Sequence, residues 1–130
     1  MTDYLPWIVG ALVVVALLAL AALRSRDLAP DRDPVRLFTP AQKLAARERC
    51  GGRCEHIGTF WRCRAEGTAG DHVYPWSRGG RTIESNLQML CTSHNSSKGA
   101  KVPSRRQIRR LERRRRRYFP PGADVKIRWR

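Results

Sequence analysis

The chain has 130 residues, and its 26 lysine and arginine residues outnumber its 11 aspartate and glutamate residues, which gives a formal net charge of +15. Such an excess of positive charge points to a polyanionic partner. The length excludes a multidomain enzyme and is too short for a dinucleotide-binding fold or a barrel. A small core often needs a metal ion or a disulfide for stability, and four cysteines and three histidines are available here.

An apolar run without any charged residue occupies residues 5–23. As a helix it would be about 28 Å long, which is close to the roughly 30 Å of a bilayer core. Tyr4 and Trp7 lie at one end and Arg24 and Arg26 at the other, where positive charge favours the cytoplasmic side. We therefore expect a single-pass membrane anchor at residues 1–23, with the rest of the chain cytoplasmic. The alternative is a signal peptide cleaved after Ala21, which would release a secreted protein.

Residues 24–38 mix charged residues with two prolines and predict a linker. Thr39 and Gln42 have the spacing of a capping box, with proline at the first helical position. This pattern predicts a helix that extends to about Cys50 and ends at a pair of glycines. We place the next domain at residues 39–100, since all the histidines and cysteines lie there.

The basic tail, residues 101–130, begins with a second capping box at Ser104 and Gln107. A helix is expected to follow, with Ile108 and Leu111 on its narrow apolar side. The five successive arginines at 113–117 surround a helix and so define no single binding face. Residues 125–129 alternate apolar and basic side chains, which predicts a final strand with one buried face.

Cysteine and histidine spacing predicts a structural zinc site. Cys91 and His94 are separated by two residues, the short spacing with which one turn presents two ligands to a metal ion. The opposite pair is either Cys50 with Cys54 or Cys54 with Cys63, and spacing alone slightly favours the first. Disulfides are disfavoured in a cytoplasmic domain.

A longer motif overlaps these ligands, and its sequence is DHVYPWSRGGRTIESNLQMLCTSHNSSKG from Asp71 to Gly99. Its order of Asp-His, Gly-Gly, Asn-Leu-Gln, Leu-Cys and a terminal Lys resembles the HNH endonuclease family over about residues 47–100. The resemblance implies an α+β fold, a small zinc-stabilised ββα-metal finger, here with a helix before it and an Arg-rich helix and short strand after it.

The residue types fit hydrolysis of a phosphodiester. A neutral imidazole is a suitable base for activating water at pH 7, so His72 is the candidate general base. The oxygens of Asp71 and Asn95 could hold a catalytic Mg²⁺ or Mn²⁺, which prefer hard ligands. The resemblance further implies that Asn86 holds the His72 segment through backbone hydrogen bonds and touches no substrate. Asn95 stands where the family usually has its final histidine.

The resemblance also changes the zinc assignment. The run before Cys54 is similar to the stretch that leads into the family's first metal-binding cysteine, and Cys63 stands where the second is expected. The implied zinc ligands are Cys54, Cys63, Cys91 and His94, with Cys50 and His56 in reserve. His94 stands where the family usually has its fourth cysteine.

We therefore expect a membrane-anchored, metal-dependent endonuclease that acts on nucleic acid, with DNA the preferred substrate. The predicted nucleic-acid contacts are Lys98, Arg105, Arg106, Arg109, Arg110 and Arg113. The basic tail could also contact anionic lipid. The alternative hypothesis is a zinc module without catalytic activity that tethers nucleic acid to the membrane.

Overall fold

The computed structural model describes residues 5–27, 31–56, 58 and 60–130, without the side chains of residues 5 and 23–27. In chain order the elements are α1 (Leu5–Asp27), α2 (Pro40–Arg49), β1 (Ala69–His72), β2 (Leu87–Leu90), α3 (Thr92–Lys98) and α4 (Arg105–Tyr118). Two short 3₁₀ turns, Trp76–Arg78 and Glu84–Asn86, lie between the strands. The chain divides into two compact units, Met1–Pro30 and Asp31–Arg130.

The described part of the first unit is helix α1. Its described side chains, those of residues 6–22, are exposed. Nowhere in the described part of the chain is a helix both long and apolar enough to cross a membrane. The structure therefore gives no support to the anchor predicted at residues 5–23, or to membrane and lipid contacts.

Several residues of the anchor prediction lie outside the described part of the structure. Residues 1–4, including Tyr4, are not described, and neither are the side chains of Arg24 and Arg26. The interfacial positions predicted for these side chains therefore lie outside the described residues.

The second unit is built on an antiparallel pair of short strands. In the register of β1 and β2, Ala69 is opposite Leu90 and His72 is opposite Leu87. All four residues of β2 are buried. Helix α3 follows β2 directly, so the order strand, strand, helix agrees with the expected ββα finger.

The two predicted capping boxes form, and both helices begin where the sequence predicts. At the start of α2 the Thr39 N–H donates to Gln42 Oε1 (2.8 Å), and the Gln42 N–H donates to Thr39 Oγ1 (3.2 Å). Ser104 and Gln107 make the same pair of bonds at the start of α4. Because such caps depend only on residues three apart, they can be recognised without tertiary information.

The strand predicted at residues 125–129 is wrong. Ile127 is buried as expected, but its backbone N–H donates to Glu112 Oε1 (3.0 Å) and the Lys126 N–H donates to Asp124 Oδ1 (2.9 Å). The Trp129 carbonyl accepts one backbone bond, from the Arg81 N–H (2.9 Å). Side-chain carboxylates have taken the donors that a ladder of strand hydrogen bonds would need.

Part of the predicted linker belongs to the second unit. Residues 31–38, which we call the pre-helix segment, lie on the Asp31–Arg130 side of the division. The Trp76 Nε1–H donates to the Asp33 carbonyl oxygen (2.8 Å), and the Thr82 N–H donates to Asp33 Oδ2 (2.9 Å). Phe38 is buried and packs with Ala46, Leu87 and other core residues. These contacts were not apparent from the composition of the segment.

The core is small and is crossed by a buried ion pair. Arg115 of α4 and Glu55 are each 2% exposed, and Arg115 Nε donates to Glu55 Oε1 (2.9 Å). Glu55 also accepts from the Tyr118 hydroxyl (2.8 Å) and the Met89 N–H (3.0 Å), while Arg115 donates to the Leu87 carbonyl (2.8 Å). The pair therefore connects α4 to the backbone of β2. Burial, with the Glu55 carboxylate next to it, raises the pKa of Tyr118.

We expect Arg115→Met to destabilise the protein by about 3–5 kcal/mol, because it leaves the buried Glu55 carboxylate without its partner. Arg116→Met is the matched control, since Arg116 is the exposed neighbour on the same helix, and it should change stability by about 0.5 kcal/mol or less. Urea unfolding of the zinc-loaded chain measures both values. Equal midpoints for the two variants would contradict a structural role for the pair.

Candidate active site

One cluster of metal-binding side chains is found among the described residues. One ligand atom each of Cys54, Cys63, Cys91 and His94 lies within 4.8 Å of all the others. His94 Nδ1 is 3.2 Å from Cys91 Sγ and 3.5 Å from Cys54 Sγ. Three sulfurs and one imidazole nitrogen at this spacing suit a tetrahedral Zn²⁺.

Local structure brings these four ligands together. Cys91 follows β2 directly and occupies the N-cap position of α3, so that His94 lies in the first turn of the helix beside it. The backbone N–H of His94 lowers the pKa of the Cys91 thiol, whereas burial raises that of Cys54 to about 11. Zinc binds thiolates, so binding must release the Cys54 proton.

The two reserve ligands lie outside the cluster. Cys50 is buried in a different part of the core, and its thiol donates to the Arg47 carbonyl (3.3 Å). The His56 ring stacks on the His94 ring, with 3.7 Å between centroids and 1° between planes. His56 therefore supports a ligand of the cluster without belonging to it.

Cys63→Ser should reduce the zinc content of the purified chain, because it removes one of the four clustered ligand atoms. Cys50→Ser makes the same chemical change at a buried cysteine outside the cluster and should retain one zinc per chain. Elemental analysis of both proteins, purified in parallel, provides the comparison. Loss of zinc from Cys50→Ser with retention in Cys63→Ser would reverse the assignment.

A groove of about 500 Å³ lies on the β1 side of α3 and brings together three of the four residues predicted for the catalytic site, all except Asn86. Its lining includes Asp71 and His72 from β1 and Asn95 from α3. Arg36 and Lys43 also line it and add positive charge, which suits a polyanionic ligand. The groove thus places the imidazole of His72, the carboxylate of Asp71 and the amide of Asn95 within one concave surface.

His72 is held between an aromatic ring and a hydroxyl group. Its ring centroid is 4.5 Å from that of Phe38, and its Nε2 is 3.0 Å from Thr82 Oγ1. Burial lowers the pKa of His72, and the neighbouring Asp71 carboxylate opposes that effect in part. The imidazole is therefore mainly neutral at pH 7, which is the form that can accept a proton.

Asp71 is paired with the lysine predicted to contact nucleic acid. Lys98 Nζ lies 2.8 Å from Asp71 Oδ2, and both side chains are largely buried. Neither atom makes a hydrogen bond of good geometry within the described residues. In the described structure the Asp71 oxygen is therefore held by an ion pair alone.

Asn86 is fully buried and binds only backbone groups in the described structure. Its Oδ1 accepts from the Tyr74 N–H (2.8 Å), and its Nδ2 donates to the carbonyls of Tyr74 (3.0 Å) and Arg81 (2.9 Å). Gly80 makes this close packing possible, because a Cβ there would collide with the Tyr74 carbonyl oxygen. The amide therefore joins the two sides of the loop between β1 and β2.

The basic tail is arranged differently from its sequence pattern. Among the predicted contacts, Arg105, Arg106, Arg109 and Arg113 are exposed. Arg110 instead donates to the Gly58 carbonyl (3.4 Å), which is also bound by Arg114 (3.0 Å). Within the run at 113–117, Arg115 is thus buried and Arg114 faces the loop that follows Glu55.

The central part of the chain matches a known protein family. Residues 48–101 match the family model described as HNH endonuclease. The match supports the HNH family and a nuclease for this part of the chain. No curated protein and no solved structure matches the chain significantly.

The HNH match covers β1, β2 and α3 with the loop between the strands, and therefore both the clustered ligands and most of the groove. Sequence reasoning missed Thr82, which lies inside the matched region, and the pre-helix segment, which lies before it. A threonine in a loop has no distinctive pattern, so only the fold reveals that it meets His72.

Proposed function

We propose that the protein is a metal-dependent HNH endonuclease that hydrolyses phosphodiester bonds in nucleic acid, with His72 as the general base. The observation that carries the proposal is the common groove of Asp71, His72 and Asn95. These three side chains come from two elements that the ββα arrangement places side by side. DNA is the substrate class that we would test first.

In this proposal His72 accepts a proton from the water that attacks the phosphorus atom. Its buried, largely neutral imidazole suits that role, which typically contributes about 10²- to 10⁴-fold to the rate. Arg36 and Lys43 on the groove lining attract the phosphate backbone. Asn86 keeps the loop beside His72 in place through backbone bonds, as its contacts suggest.

The donor set in the groove fits a hard divalent cation. Asp71 Oδ2 is buried without a well-aligned hydrogen bond, and a divalent cation bound there would take over from the ammonium of Lys98, which pairs with this oxygen in the described structure. Asn95 supplies an amide oxygen on the same groove. Mg²⁺ or Mn²⁺ held by these residues would neutralise charge that develops on the phosphate during hydrolysis. The Cys3His cluster fits Zn²⁺, which we assign a structural role.

Helix α4 offers a second contact surface for nucleic acid. Its exposed arginines are Arg105, Arg106, Arg109, Arg113, Arg116 and Arg117. At about 100° per residue, these six fall within an arc of about 120° on the helix. The remaining arginines of the run turn toward the protein, so the exposed ones form one face. We call these six residues the arginine face and propose that it binds phosphates without base specificity.

We expect His72→Ala to lower the cleavage rate by about 10²- to 10⁴-fold while retaining the fold and zinc content. Relaxation of supercoiled plasmid by the full chain, with Mg²⁺, Mn²⁺ or EDTA, is the assay. His56→Ala is the matched control, because His56 lies outside the groove, and it should cleave at nearly the parental rate once zinc loading is equal.

Cleavage by His72→Ala at the parental rate would contradict the mechanism. If the zinc-loaded parent binds DNA but never nicks it with either cation, the nuclease assignment fails. A binding module without catalytic activity would then be the better description.

Replacing Arg109 and Arg113 together with alanine should weaken DNA binding and reduce the slope of log K against log salt by about 0.9 for each lost phosphate contact. Arg128→Ala is the control, since Arg128 is exposed but lies off α4 and pairs with Asp124. Fluorescence anisotropy over a salt series measures both slopes. An unchanged slope in the double variant would exclude the arginine face as the binding surface.

A further inference from the structure

The hydrogen bond at His72 Nε2 bears on which ring nitrogen can act as a base. A neutral imidazole has one protonated and one unprotonated nitrogen, and the partner of one decides the state of the other. Nε2 is 3.0 Å from Thr82 Oγ1. Within the described residues, Nδ1 has no hydrogen-bond partner. The direction of the Thr82 bond therefore determines where the free lone pair lies.

The Thr82 hydroxyl has a single hydrogen, and its other contact accounts for it. Thr82 Oγ1 is hydrogen-bonded to the carbonyl oxygen of Val35. A carbonyl oxygen can only accept, so the hydroxyl must donate to it. Thr82 Oγ1 is then left as an acceptor toward His72, and Nε2 must carry the proton. The lone pair of the neutral ring lies on Nδ1.

The pre-helix segment fixes Thr82 through its backbone as well. The Thr82 N–H donates to Asp33 Oδ2 (2.9 Å), while Asp33 Oδ1 accepts from the Val35 N–H (2.9 Å). Asp33 is itself bound through its carbonyl by Trp76, whose ring lies near the guanidinium carbons of Arg32 and Arg36 (5.3 and 5.4 Å). Asp33 therefore binds the backbone of both Thr82 and Val35, which keeps the Val35 carbonyl beside the Thr82 hydroxyl.

We propose that Thr82 is a positioning residue that, oriented by Asp33 and Val35, holds His72 in the tautomer protonated at Nε2 and leaves Nδ1 as the basic nitrogen. This inference rests on the proposed function, because it specifies the atom through which His72 acts. It also assigns a role in the active site to residues outside the HNH match.

The direct test is ¹⁵N NMR of the histidine side chains in the zinc-loaded full chain, at a pH where His72 is neutral. The signals of His72 are assigned by their loss in His72→Gln. We expect the parent to show a protonated Nε2 and an unprotonated Nδ1. Thr82→Val, which keeps the side-chain shape without the hydroxyl, should shift the tautomer equilibrium toward protonated Nδ1, and Thr82→Ser should restore the parental signals.

Steady-state cleavage gives a second readout. Thr82→Val should lower kcat by about 10- to 100-fold, by analogy with outer partners of metal-binding histidines, and leave KM nearly unchanged. Thr82→Ser should recover most of that loss. Circular dichroism and zinc analysis verify that each variant is folded.

If His72 of the parental protein is protonated at Nδ1, the inference is overturned. This measurement needs no variant at Thr82, so it decides the question even if Thr82→Val does not fold. An unchanged tautomer in a folded Thr82→Val protein would also overturn it. If the parent shows the expected tautomer but cleaves no nucleic acid, the proposed function fails while the assignment of the hydrogen bond stands.

Discussion

The structure of the second unit depends on the buried contact between Glu55 and Arg115. One carboxylate accepts hydrogen bonds from a β2 backbone N–H, from Arg115 and from Tyr118, so it joins strand and helix at a single point. A buried ion pair contributes little net stability, because desolvation offsets the attraction. Its value here is specificity. Helix α4 carries many arginines, and an arginine can be buried without an unpaired charge only where it reaches Glu55. The position of Arg115 therefore fixes the rotation of the helix about its axis.

The same contact links α4 to the clustered ligands, because Glu55 follows Cys54 directly in the chain. Helix α3 extends the connection toward the groove. His94 in its first turn belongs to the cluster, and the next residue, Asn95, lines the groove. A short helix of seven residues has little stability of its own. Zinc at the cluster would therefore hold Asn95 in place as well as stabilise the fold.

Features encoded within a few residues could be predicted from the sequence, whereas contacts between distant residues outside the HNH motif could not. The caps at Thr39 and Ser104 are local, and both helices begin as predicted. The burial of Arg115 depends on Glu55, which is 60 positions away, so the run of arginines alone could not reveal an exposed face. Residues 125–129 alternate apolar and basic side chains as a strand would. Two of their backbone N–H groups nevertheless donate to the carboxylates of Glu112 and Asp124, and not to the carbonyls of a neighbouring strand.

The motif gave the positions of the groove residues but not their surroundings. Asp71, His72 and Asn95 lie on elements that the family resemblance implies, whereas the ring of His72 also contacts Phe38 and the Thr82 hydroxyl. Phe38 and the residues that hold Thr82 all precede the HNH match, which begins at residue 48. Removal of the pre-helix segment would therefore expose one face of the imidazole and take away the partners of the Thr82 hydroxyl and backbone. The predicted domain of residues 39–100 begins after this segment, and the second compact unit of the structure begins at Asp31.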